Sequence, residues 1–148
     1  MKKTAFLFLC ALLLCASFLG CSRSTPTIEG SRWELGAVIQ TNDSGRETVL
    51  FVSEDYEEAY GTVEGASRLE ATLKAKGGSF TLSDETNDTS YTGSYFDFDP
   101  MSADAADYRI VIGNTKGRAL TLRYVDENGD KVVSLSLTVG KYRLLFFS

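Results

Sequence analysis

The chain has 148 residues, with 15 Lys and Arg against 20 Asp and Glu, a net charge of −5 and no histidine. That length holds one ordinary domain once a leader is set aside, with no room for a second. The acidic balance weighs against nucleic acid as a partner, and the lack of histidine excludes Ser-His-Asp catalysis and the commonest metal ligand.

The first residues are Met1-Lys2-Lys3-Thr4, followed by an uncharged apolar run from Ala5 to Leu19. Two lysines before about 15 apolar residues are the pattern of an export signal. A bilayer-spanning helix needs about 20, so an uncleaved anchor is the lesser alternative. Gly20-Cys21 follows directly. This pair resembles the lipobox of bacterial lipoproteins, although Phe18 and Leu19 depart from the usual leucine and small residue before it. The resemblance implies that Cys21 receives a diacylglycerol on its sulfur and becomes the first mature residue after cleavage behind Gly20. A plain cleaved signal, cut after Ala16, is the other reading and leaves the compartment unchanged. Residues 1–20 are thus expected to be a lipoprotein signal peptide, and the mature protein to be lipid-anchored in the bacterial cell envelope. With Ser22 after the cysteine, the outer membrane is favoured if the host has two membranes.

Cys10, Cys15 and Cys21 are the chain's three cysteines, so the mature protein keeps only the lipid-bearing one. No disulfide, thiolate nucleophile or cysteine metal site is expected to remain. Losing Lys2 and Lys3 leaves 13 basic residues against all 20 acidic ones, a mature charge of −7.

Residues 21–30 lack periodicity, contain Pro26 and read as a short lipid-bearing tether. From residue 31 to 148 a single domain is expected. Apolar residues alternate in Trp33 to Ile39, Thr48 to Val52, Leu69 to Ala75, Phe80 to Leu82, Tyr91 to Tyr95, Tyr108 to Ile112, Leu120 to Tyr124, Val133 to Val139 and Tyr142 to Phe146. These are about nine strands. Within Ser67 to Lys76 helix is the rival on propensity, but the apolar residues share one strand face.

Ser53, the acids Glu54, Asp55 and Glu57, and the stop at Gly61 mark a helix of one or two turns. Gly77-Gly78, Asn114 to Gly117 and Asn128-Gly129 fall between strands as hairpin turns, the last expected to be type I′. About nine strands joined by hairpins must hide their edges. The fold expected is all-β, an antiparallel up-and-down β-barrel of 8–9 strands, with a β-sandwich as the alternative.

Gly30-Ser31-Arg32-Trp33 resembles the opening of lipocalin-like and META-type small barrels, with G-x-x-W one residue longer than the lipocalin spacing. Ala106-Asp107-Tyr108 is similar to that family's T-D-Y, and Arg143 to the arginine that packs on the tryptophan. The resemblance implies barrel-end closure by Trp33 and Arg143. The alternative makes Trp33 an ordinary core aromatic and Arg143 a surface charge.

No catalytic residue, metal site or cofactor is expected. Carboxylate pairs remain the one catalytic chemistry open in principle. Asp97, Asp99, Asp104 and Asp107 around Pro100 offer calcium-type oxygens, yet read more simply as a solvated acidic loop. Asp126 to Asp130 lacks the frame of a calcium loop, and Gly113 to Gly117 that of a phosphate loop. Asn42 and Asn87 stand in sequons that here mark exposed loops.

Two functions fit a non-catalytic envelope lipoprotein. One is carriage of a small apolar ligand in a lipocalin-like barrel, which needs an internal pocket above about 300 Å³. The other is recognition or inhibition of a basic protein partner through the acidic surface, which goes with a dense core and an exposed patch.

Overall fold

The computed structural model of this protein describes residues 24–148; the export signal, Cys21 and the expected cleavage point lie outside the described residues. Alternating apolar residues give ten strands: β1 (Arg32–Thr41), β2 (Glu47–Val52), β3 (Ser67–Arg68), β4 (Ala71–Lys76), β5 (Ser79–Asp84), β6 (Thr89–Ser102), β7 (Ala105–Ile112), β8 (Thr115–Val125), β9 (Lys131–Val139) and β10 (Tyr142–Phe147). Among the described residues a single helix, α1 (Glu54–Tyr60), follows β2. All nine expected strands are present, and residues 67–76 are extended rather than helical. The addition is β3, two residues long and too short to show a period.

Strands β4 to β10 form an antiparallel meander in which each pairs with the next. Closure comes from β1, whose Arg32, Trp33 and Glu34 pair with β4 while β10 lies along its other side from Glu34↔Phe147 to Gln40↔Tyr142. Eight strands therefore close into an antiparallel barrel, which removes the sheet edge that an open meander would expose. The second half of β1 pairs with β2, and β3 adds a short parallel rung to β2, so these two strands stand outside the closed ring.

Inward-facing residues make one contiguous core. Trp33, Leu73, Phe80, Ile110, Leu135, Leu137 and Phe146 are fully buried in it, with Tyr95 and Tyr108 packed edge to face at 5.9 Å. The barrel is filled by its own aromatic and aliphatic side chains.

Residues 24–30 do not behave as a tether. Pro26 and Ile28 are buried, and Ile28 belongs to the core. The Trp33 indole N–H donates to the Ile28 carbonyl at 2.8 Å, the Ile28 N–H donates to the Tyr108 hydroxyl at 3.2 Å, and Thr121 Oγ1 donates to the Pro26 carbonyl at 2.7 Å. Glu29 accepts from the Gly77 N–H at 2.8 Å and from the Tyr95 hydroxyl. Ser24 to Gly30 is thus a plug in one barrel end. Periodicity could not reveal it, because an irregular segment buries side chains without repeating. Gly30, at φ +84°, turns the chain from the plug into β1 so that Ile28 lies over Trp33; this is a backbone conformation that other residues rarely adopt.

Two turns differ in detail from expectation. The β7–β8 turn is Gly113-Asn114, and Gly117 lies inside β8, where a Cβ would run into the Thr138 carbonyl. In the β8–β9 loop only Gly129 has positive φ, so the turn is not type I′, which needs two such residues. Asp126 Oδ1 instead accepts the N–H groups of Asn128 and Asp130, each at 2.9 Å. Asn42 Oδ1 does the same for Ser44 and Arg46 between β1 and β2.

Candidate functional site

Ser53 caps α1 with extended backbone while its Oγ accepts the Tyr56 N–H at 3.2 Å. Glu54, Asp55 and Glu57 in the first turn suit the positive end of the helix dipole, and Gly61 ends the helix. A helix of this length is unstable alone. It is held by its surroundings: the Ser53 N–H donates to the Gly36 carbonyl at 2.9 Å, the Glu54 N–H to Glu70 at 2.8 Å, and Arg68 pairs with Glu54 at 3.1 Å and Glu57 at 2.6 Å. The Glu57 carboxylate, the first cause, and the nearby Glu54 raise the Arg68 pKa.

The helix packs on the outside of β1 at Gly36. A Cβ there would collide with the Phe147 and Tyr56 rings, so glycine is what admits both. It also coincides with a β-bulge, since the β1–β10 register slips between Leu35 and Ala37. Tyr56 stacks tilted on Tyr60 at 4.8 Å.

Between α1 and the barrel wall lies a groove of about 230 Å³ with Leu35, Gly36, Tyr56, Tyr60, Val132 and Phe147 along it and Glu34 and Asp55 at its edge. It leads past Ala59 and Tyr60 to a second, wider depression of about 600 Å³ at Tyr124, Val125, Asp126 and Glu127. Burial is the main cause that raises the Tyr124 pKa, with Tyr60 and the acidic Asp126 adding to it. The floor is aromatic and half-buried, Tyr60 is 63% exposed, and the rim is acidic. Among the described residues Glu34 pairs with Arg32 at 3.1 Å, whereas Asp55 and Glu58 have no ion-pair partner. An aromatic floor with negative rim suits apolar and cationic groups presented together.

The residues singled out from sequence are not brought together. Cys21 lies outside the described residues. Trp33 is fully buried and its indole N–H bonds the Ile28 carbonyl of the plug. Arg143 is not beside it: it lies opposite Ile39, six positions from Trp33 along β1, or roughly 20 Å. Its guanidinium instead grips Glu47 at 2.9 and 3.0 Å on the outer wall, while its Nε is buried without a partner. The residue that meets the Trp33 indole is Ile28, through its carbonyl, and it carried no recognisable motif.

Around Pro100 the acids disperse. Asp97 pairs with Arg109 at 3.5 Å, Asp104 with Arg123 at 3.3 Å and Asp107 with Arg118 at 2.5 Å. Among the described residues no three acidic, cysteine or histidine side chains converge as metal ligands.

Sequence reasoning found α1 but not its groove. The available signal was Gly36, an isolated glycine within an alternating strand, which marks a bulge or a close backbone approach. Comparison with known proteins finds no matching family model, no matching curated protein and no matching solved structure.

Proposed function

We propose that this chain is a non-catalytic bacterial lipoprotein, anchored in the cell envelope by lipid on Cys21, that docks a basic protein partner in the groove beneath α1. The observation that carries the docking reading is the pairing of a filled barrel with an aromatic groove edged by Glu34 and Asp55. Carriage of a small apolar ligand inside the barrel is disfavoured by the same filling, since Ile28, Trp33, Phe80 and Phe146 occupy the space such a ligand needs. The envelope address rests on Lys2-Lys3, the apolar run and Gly20-Cys21.

The anchor is tested by Cys21→Ser in the full chain, which is expected to lose lipid labelling and membrane fractionation. A labelled, membrane-bound variant refutes it. Docking is tested by a photo-crosslinking residue at Tyr60 in living cells. One dominant adduct is expected, through a Lys- or Arg-rich segment, weakened by added salt and by Asp55→Lys with Glu127→Lys. No adduct, or one indifferent to charge reversal, refutes the basic-partner reading. A small apolar molecule that co-purifies with the chain and is lost with Phe80→Ala would favour ligand carriage instead.

A further inference from the structure

We propose that the aromatic wedge beneath α1 takes a single lysine side chain of the basic partner, its methylene stem on the rings of Tyr56, Tyr60 and Phe147 and its ammonium at the carboxylate edge formed by Glu34 and Asp55. The inference rests on the docking reading of the groove and adds to it the one side chain that the site selects.

Distant segments supply the rings. Gly36, without a Cβ, lets the Tyr56 and Phe147 rings close on the same point of β1. Tyr60, about one helical turn after Tyr56, lies against it with ring centroids 4.8 Å apart and planes tilted by 43°. Tyr124, paired with Val132 across the β8–β9 hairpin, lines the same depression as Tyr60. Aromatic faces carry negative potential, so rings gathered in this way attract a cation, most strongly one that has shed part of its water.

The charge around the rings has one sign. Glu34 and Asp55 line the groove, Asp126 and Glu127 line the depression next to it, and among the described residues no lysine or arginine lines either. Arg123 and Lys131 line a different depression, where Arg123 pairs with Asp104 at 3.3 Å. Arg32 does reach Glu34 at 3.1 Å, but both side chains are more than half exposed, and a pair of that kind is weak enough to share its carboxylate. Size limits the guest. About 230 Å³ falls below the range of about 300–1,000 Å³ for sites that enclose a whole small molecule, so the groove takes one side chain and leaves the rest of the partner outside. Shape then favours lysine over arginine. A guanidinium is planar and stacks on flat faces or forks onto a carboxylate, whereas the two tyrosines meet at a slant. A long aliphatic stem lies along such rings and keeps its compact ammonium at their edge.

The test uses the full chain in a non-ionic detergent, with fluorotyrosine giving one fluorine resonance for each of its seven tyrosines. The probes are capped Gly-Lys-Gly, Gly-Arg-Gly and Gly-norleucine-Gly peptides, the last an uncharged match to the lysine stem. The lysine peptide is expected to move the Tyr56 and Tyr60 resonances, to leave the exposed Tyr91 of β6 unmoved, and to bind about fivefold more tightly than the norleucine peptide. It should also bind several-fold more tightly than the arginine peptide. Tyr60→Leu, which keeps apolar area but no ring face, and Asp55→Asn should each weaken lysine binding several-fold when read at Tyr56. The Tyr95 and Tyr108 resonances, from the core, hold their positions if those variants keep the fold. Equal binding of lysine and norleucine, or a Tyr60→Leu chain that binds as well as its parent, overturns the site. Arginine binding as tightly as lysine, or phosphocholine moving the same resonances as strongly, overturns the selection of lysine. The titration needs no partner, which separates it from the docking reading. Lysine selectivity without an adduct at position 60 keeps the site and removes the docking reading; an adduct without lysine selectivity does the reverse.

Discussion

The plug makes Ile28→Ala a decisive perturbation. As part of a solvated tether, Ile28 would tolerate alanine within about 0.5 kcal/mol. Its side chain is instead fully buried in the core. Removing three methylene equivalents at roughly 0.8 kcal/mol each, with part of the cavity left open, costs about 3 kcal/mol. The backbone bonds to Tyr108 and Trp33 survive the substitution, so no further loss is added. For a domain of this size that is a fall in Tm of about 10 °C. Urea unfolding followed by Trp33 emission measures the loss directly, since Trp33 is the only tryptophan and lies under Ile28. Thr27→Ala, at an exposed neighbour, serves as the reference and should stay within about 0.5 kcal/mol. If both variants unfold alike and acrylamide reaches Trp33 no better in Ile28→Ala, the plug does not exist in solution.

Gly36→Val places branched atoms against the Phe147 and Tyr56 rings; it should cost about 1–3 kcal/mol, displace α1 and abolish crosslinking from position 60. Retained crosslinking would mean the groove is not the docking site. Glu29 has its pKa lowered, chiefly by the Tyr95 hydroxyl. The stability it contributes is complete above the ordinary glutamate value of about 4.3 and is lost as the pH falls through the lower folded value. Glu29→Gln should therefore flatten the acid limb of a stability profile, and an unchanged limb counts against the clamp. Burial raises the Tyr95 and Tyr108 pKa values, so their contribution is complete below about pH 10 and lost above it. Arg143→Ala should cost under about 1 kcal/mol, as for a partly exposed ion pair, and leave Trp33 emission unchanged; a shifted emission would restore the stacked arrangement.

How much was legible depended on whether a feature repeats. The strand period put nine segments in place because each strand alternates over several residues, and α1 was readable from Ser53, its acids and Gly61. Nothing periodic marks Ile28, whose burial follows from the barrel end that Trp33 leaves open. Arg143 was misplaced for a different reason. A motif fixes residue type but not register, and the β1–β10 pairing sets Arg143 opposite Ile39 rather than near Trp33. The groove was invisible because Tyr56, Gly36 and Phe147 come from three distant segments that only closure brings together.

The plug and the groove constrain each other. With Ile28 completing the core, the interior has little left to offer a ligand, and recognition moves to the wall. The lower part of the groove, at Tyr60, Tyr124 and Val125, lies at the same rim from which the chain leaves toward Cys21. With lipid on Cys21 as proposed above, a partner entering the groove meets it beside the bilayer. Screening over about 8 Å in physiological salt confines the pull of Asp55, Asp126 and Glu127 to partners already nearby. A shallow site gains most when its partner is held on the same membrane, because shared attachment raises effective concentration without adding contacts. Releasing the anchor should then weaken partner capture far more than any single rim charge does. Capture that is equally strong for the Cys21→Ser chain in solution would break this connection between anchor and groove.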